Sequence, residues 1–160
     1  MKMEKVIINS YKEFEAFSGR EIGVSEYVTV TQQQINEFAD ATLDHQWIHI
    51  DPARAEVESP FKTTIAHGYL TMSMLTYLWH SIVDVRNVKM IVNYGIDNLR
   101  FAQPVLVNNR VRARVSLNSI INLRGIAKIQ VKIVLEIEGS KKPAYNALVT
   151  FLYHFNDSEK

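Results

Sequence analysis

The sequence predicts an α+β domain in which an antiparallel β-sheet is wrapped around one long central helix. Three observations carry this. Residues up to about Val83 follow a mostly helical period, those after Val88 mostly alternate, and the segment His67 to Val83 is apolar on nearly every side. A helix without a polar face has to be enclosed, and strands with one apolar face can enclose it. With 160 residues, 47% of them hydrophobic, the chain is long enough for one core and short for two. One domain over 1–160 is expected, with 1–24 as an N-terminal helical extension and 156–160 as a C-terminal tail.

The elements follow in chain order. Tyr27 to Val30 can add one strand. Thr31 opens a helix, standing three residues before Gln34 at capping-box spacing. Ile35, Phe38, Ala39 and Thr42 then recur at i, i+3, i+4 and i+7, one helical face. The pattern fades at Leu43-Asp44. Asp51-Pro52 starts the next helix, with Asp as N-cap and Pro at the first helical position. Asp44 to Ile50 is therefore a connector between helices, a usual place for catalytic side chains. Ser59-Pro60-Phe61 reads as a loop. The helix beginning at His67-Gly68 is expected to run to about Val83, roughly 25 Å at about 1.5 Å per residue.

The wrapping sheet has room for roughly five strands. Lys89 to Phe101 reads as one, with an irregularity at Gly95. Arg110 to Asn122 alternates Val111, Ala113, Val115 and Leu117 against Arg110, Arg112, Arg114 and Ser116. Ala127 to Ile137 and Tyr145 to Phe155 alternate likewise, the mark of a strand with one buried face. Asn108-Asn109, Asn122 to Gly125 and Gly139 to Pro143 punctuate them as turns.

Composition removes several functions. Eighteen Lys+Arg against seventeen Asp+Glu leave a net charge of +1, which gives no reason to expect nucleic acid. No cysteine is present, so no disulfide, thiol nucleophile or Cys-ligated metal enters, and a reducing cytoplasm suits the chain. The charged N-terminus lacks the apolar run of a secretory signal. The most apolar stretch, Tyr69 to Val83, is too short to cross a bilayer of about 30 Å, so no membrane is expected. Neither G-x-G-x-x-G, G-x-x-x-x-G-K-[ST], H-E-x-x-H nor G-x-S-x-G occurs. No metal is expected.

The connector Asp44-His45-Gln46-Trp47-Ile48-His49 packs a carboxylate, an amide and two imidazoles together. Asp44 and His49 are five apart, so they would not share a helix face, but in a loop they can converge on one water. A carboxylate orients that water and an imidazole carries its proton. The plain alternative is a capping Asp and a hydrogen-bonded loop His. His67-Gly68 heads the apolar helix, where the first N–H groups lack acceptors and meet the positive end of the dipole. Gly68 there would let a carbonyl approach, an oxyanion-type site; it could equally just set the turn. Arg100, in Leu99-Arg100-Phe101-Ala102-Gln103-Pro104, can face a ligand or solvent.

Taken together, the stretches FADATLDHQWIHIDP (Phe38 to Pro52), TIAHGYLTMSML (Thr64 to Leu75), VNYGIDNLRFAQPV (Val92 to Val105) and VLEIEGSKKPA (Val134 to Ala144) resemble the MaoC-like hydratases of the hot-dog fold. The likeness is to the short, NodN-like members and the (R)-specific enoyl-CoA hydratases. It runs from about Tyr27 to Tyr153. The resemblance implies that Asp44 and His49 are the catalytic pair and that the Gly68 N–H binds a thioester oxygen. Gln46, Trp47, His67, Tyr69 and Arg100 are then expected on the substrate. Many members carry Asn-Pro where this chain has Gln46-Trp47, which alters the pocket and spares the pair. The implied substrate is a trans-2-enoyl-CoA thioester, coenzyme A being part of the substrate and no cofactor being needed, and the implied assembly is a homodimer. A hot-dog thioesterase and a non-catalytic acyl-binding protein are the competing expectations.

Overall fold

The computed structural model describes residues 4–156. β1 (Val6–Ile8), α1 (Tyr11–Glu15) and β2 (Glu21–Val24) come first. Residues 1–24 thus depart from the expected helical extension: one short helix lies between two strands, and residues 1–3 fall outside the described part. Ser10 caps α1 by accepting from the Glu13 N–H. The segment also belongs to the core, because Phe14 is fully buried against Trp79 and Tyr153. The expected C-terminal tail lies, beyond Asn156, outside the described residues.

β3 (Val28–Thr29) leads into α2 (Gln32–Thr42), whose N-terminus carries the expected capping box between Thr31 and Gln34. A one-turn helix α3 (Trp47–Ile50) and α4 (Pro52–Glu58) follow, the latter capped by Asp51 with Pro at its start. The apolar segment is not one helix. It forms α5 (Gly68–Ser73) and α6 (Leu75–Ile82), meeting at Met74, where ψ of −16° opens the helical twist. Hydrogen bonds through Met74 to Leu70 and from Leu78 keep the two nearly continuous.

β4 (Val83–Val85) pairs in parallel with β1. The main sheet has six strands rather than five. β5 (Val88–Phe101), β8 (Tyr145–Phe155), β7 (Ile126–Ile137), β6 (Arg110–Leu123) and β2 are neighbours in that order, and β3 joins β6. The extra strand is β2, which the sequence reading assigned to helix. The β5–β8 register slips between Asn93 and Gly95, the expected irregularity.

The alternating strands bury the faces their period marks. Val111, Ala113 and Val115 of β6 and Ile129, Val131 and Ile133 of β7 are 0% exposed. Each fully buried Val or Ile contributes about 1.5–3 kcal/mol. Leu78 and Trp79 of α6 press onto this face, and the Trp79 indole N–H donates to the Tyr153 hydroxyl at 2.7 Å. The enclosure is one-sided, however. Tyr69 and Tyr77 on the far side of α5 and α6 are 70% and 65% exposed. One sheet can cover only one side of a helix.

Candidate active site

The site is assembled from three segments that the chain brings to the head of α5. The first is the turn out of α2. Leu43 closes that helix in the left-handed region at φ 61°, which costs a non-glycine residue about 1–2 kcal/mol and turns Asp44 away from the helix axis. The carbonyl of Gln46 then accepts the His49 N–H at 3.0 Å, so α3 is a single turn. The connector is therefore partly helical. Its tight turn carries His49, only 8% exposed, back beneath the exposed Asp44.

The second segment is Thr64 to Ala66, which runs beside Val105 to Val107 in a short extended pairing. Ile65 holds α3 at two points. Its N–H donates to the Ile48 carbonyl at 3.1 Å, and its own carbonyl accepts from His49 Nδ1 at 2.7 Å. A carbonyl only accepts, so the proton of His49 sits on Nδ1 and Nε2 is bare. Gln32 completes the support. Its Nε2 donates to the His49 carbonyl at 2.8 Å while its Oε1 accepts from the buried Thr64 hydroxyl at 2.5 Å.

The third segment is His67-Gly68. No side chain caps α5, so its first N–H groups stay open to a ligand. Gly68 and His49 both line a cavity of about 360 Å³, with Thr71, Phe101 and Pro104 around them. A Cβ on Gly68 would lie 2.9 Å from the Phe101 ring, so the missing side chain admits an aromatic ring at this point. His67 lies deeper, 3% exposed, its ring centroid 3.8 Å from that of His49.

Asp44, His49 and His67 bring one donor atom each within 4.8 Å of the others. The pair expected from the sequence therefore converges, at the mouth of the apolar helix. The trio is less suited to a cation. His67 Nε2 lies 3.0 Å from the Asp44 carbonyl and must carry a proton to bond it. The two stacked ring planes, inclined by only 27°, also cannot both contain one ion at bonding distance. Burial, the largest cause, pushes the His49 imidazole below its ordinary pKa, and the neighbouring His67 adds to this. The Ile65 carbonyl and the Asp44 carboxylate oppose it. The lowered pKa favours the neutral, proton-accepting form of His49.

The remaining expected site residues are spread more widely. Gln46 is exposed and contributes its carbonyl to α3. Trp47 turns outward under the Arg54 guanidinium, 4.4 Å from its ring, and does not line the cavity. His67 stands behind His49 rather than on the cavity wall. Tyr69 stands at the rim, edge-on to Phe101. Arg100 is exposed on β5, next to Phe101. The basic row of β6 is matched by carboxylates, Arg110 with Glu138, Arg112 with Glu136, and Arg114 with Glu136 and Glu21. Gln32, Thr64 and Phe101 were not singled out by the sequence reading. Gln32 and Thr64 meet across 32 positions, a separation that no local period records. Phe101 alone left a signal, an aromatic close to the strand-ending Pro104.

Comparison with known proteins agrees with this geometry. A family model for the MaoC-like domain matches residues 13–138. The chain is 47% identical over 136 residues to 3-hydroxyacyl-thioester dehydratase Z of Mycobacterium tuberculosis, covering 84% of this chain and 89% of that protein. It is 41% identical over 145 residues to nodulation protein N of Rhizobium leguminosarum bv. viciae, covering 89% of each. In fold it matches the unliganded R-hydratase PhaJ1 of Pseudomonas aeruginosa with a TM-score of 0.71 at 17% identity, over 92% of this chain and 86% of that one. The sheet wrapped on its helix is the hot-dog fold.

Proposed function

The chain belongs to the MaoC-like dehydratase family, and from this premise we propose that it hydrates trans-2-enoyl-CoA to (R)-3-hydroxyacyl-CoA and catalyses the reverse dehydration. The observation that carries the reading is the convergence of the Asp44 carboxylate and the His49 imidazole beside the uncapped N-terminus of α5.

Asp44 and His49 hold one water. As its oxygen bonds to C3 of the enoyl group, His49 Nε2 takes a proton. The electron pair of the C2–C3 double bond moves towards the thioester oxygen, where the Gly68 N–H and the helix dipole receive the charge. A proton then passes from the pair to C2, so one water is added overall and the groups return to their starting state. One preorganised donor to such an oxygen supplies about 3–4 kcal/mol, and each acid–base partner about 10²–10⁴-fold. The reaction needs no cofactor, coenzyme A arriving with the substrate.

The active unit in this reading is a homodimer. β5, 14 residues long, is a sheet edge bonded among the described residues only to β8, and it exposes Met90, Tyr94 and Ile96, while Tyr69 and Tyr77 of α5 and α6 are exposed as well. A long apolar edge calls for a partner strand. Light scattering that returns a monomer mass in solution overturns this part.

The test is hydration of crotonyl-CoA followed by loss of the enoyl absorbance, with chiral analysis of the product. Asp44→Asn and His49→Gln should each abolish turnover while leaving circular dichroism unchanged. Wild-type-like rates in either variant refute the mechanism. Release of free thiol would instead indicate a thioesterase, and tight acyl-CoA binding without turnover a binding protein.

A further inference from the structure

Two imidazoles stack at this site, and the reaction above uses only one of them. His67 is 3% exposed, its ring stacked on the His49 ring at 3.8 Å and tilted by 52° to the Phe38 ring at 5.1 Å. Its two nitrogens meet very different surroundings. Nε2 faces the Asp44 carbonyl at 3.0 Å, an acceptor, and so carries the proton. Nδ1 is buried with no hydrogen-bond partner among the described residues. A proton there would be an orphaned buried donor, a costly arrangement, so Nδ1 is bare. His49 is protonated the other way round, on Nδ1 towards Ile65. The two rings are thus opposite tautomers, each fixed by a main-chain carbonyl.

We propose that His67 is the positioning residue of this site. Its Nε2–H fixes Asp44 through the carbonyl of that residue, and its ring face fixes the plane of His49, so one buried side chain sets both reacting groups. What those groups do rests on the hydratase reading; how His67 holds them does not. The task demands histidine. It needs a flat ring of imidazole size to stack on His49 and a donor on that ring's edge to reach Asp44. Phenylalanine supplies the ring without the donor, and glutamine the donor without the ring. His67 is buried and does not line the cavity that His49 and Gly68 share, so its part is to position the groups beside it. The charged and titratable groups facing His49 are Asp44 from the turn after α2 and His67 from the head of α5, while α2 itself presents the uncharged Gln32.

Two measurements test this. The first is long-range ¹H–¹⁵N spectroscopy of the imidazoles in the unaltered protein at pH 8, with His67→Phe and His49→Gln used to assign signals. The expected pattern is a Nε2–H tautomer for His67 and a Nδ1–H tautomer for His49. A proton on His67 Nδ1, or averaging between tautomers, overturns the proposal, and this arm needs no substrate. The second is the kinetics of His67→Phe and His67→Gln on crotonyl-CoA. Each keeps half of the device, so kcat per folded enzyme should fall about 10–100-fold in both, consistent with the about 10²-fold cost of a 1 Å misplacement, while KM shifts less than about threefold. Wild-type kcat in either variant, or a loss appearing in KM alone, overturns the proposal. A wild-type protein that shows the tautomers but hydrates no enoyl-CoA identifies the reaction assignment, and not the positioning, as the part that failed.

Discussion

Gln32→Ala removes one side chain that serves three partners. Its Nε2 donates to the His49 carbonyl and to Asn36 Oδ1, each at 2.8 Å, and its Oε1 accepts from the Thr64 hydroxyl. Asn36 is at the surface and recovers its bond with water. Thr64 is 1% exposed and His49 8%, so their polar atoms lose partners that water replaces poorly. A buried polar group left unsatisfied costs about 1–3 kcal/mol, which puts the loss for these two at about 2–6 kcal/mol. The assay is urea denaturation at one protein concentration, because the proposed dimer would make stability concentration-dependent. Thr64→Val removes the stranded hydroxyl and keeps the shape. The double variant should therefore cost less than the sum of the single ones, by about 1 kcal/mol, within the usual range for contacting pairs. The kcat/KM for crotonyl-CoA should also fall at least about tenfold, since His49 loses a main-chain anchor. A Gln32→Ala protein within about 0.5 kcal/mol of its parent, or strictly additive variants, refutes the network.

Gly68→Ala drives a methyl group against the Phe101 ring. That ring is 46% exposed and can swing aside, so stability should drop by less than about 1 kcal/mol, below the usual cost of overpacking a core. In the proposed reaction the Gly68 N–H faces the thioester oxygen and the methyl would stand beside it, so kcat/KM should fall about tenfold or more, short of the roughly 10²–10³-fold for losing an oxyanion donor; unchanged kinetics remove Gly68 from the reaction. Acidification gives a third test. Because the folded state holds His49 below the ordinary imidazole value of 6.5, the acid limb of kcat/KM should lie below pH 6.5. The sign for stability follows: between the two values the unfolded chain binds more protons, so stability present above pH 6.5 is lost as pH falls through that window. His80, also lowered by burial and then by Lys5, acts in the same direction. Denaturation at pH 8, 6 and 5 reads the trend, and stability rising on acidification contradicts it.

Local chemistry wrote much of this fold in plain view. The alternation of β6, β7 and β8 needs only the two-residue pleat. The Thr31–Gln34 capping box and the Asp51-Pro52 start need only a few neighbouring residues. Asp44, His49 and Gly68 were picked out by residue type together with the family resemblance, and the fold gathers Asp44 with His49, and His49 with Gly68, at the head of α5. What failed was non-local. β2 is a strand because it pairs with β6, about ninety positions away, a contact that left no period in its own four residues. The break at Met74 left no mark in the apolar pattern, and the outward Tyr69 and Tyr77 follow from a sheet that covers one side of the helix only. His67 reads in sequence as a residue for the substrate, and only folding shows it buried behind His49 with Asp44 on its far nitrogen. Residue type and short-range period determine which groups are available and which face of a strand turns inward. Which carbonyl meets which ring nitrogen is decided by segments distant along the chain, because a hydrogen bond depends on position in space and leaves no trace in spacing along the backbone.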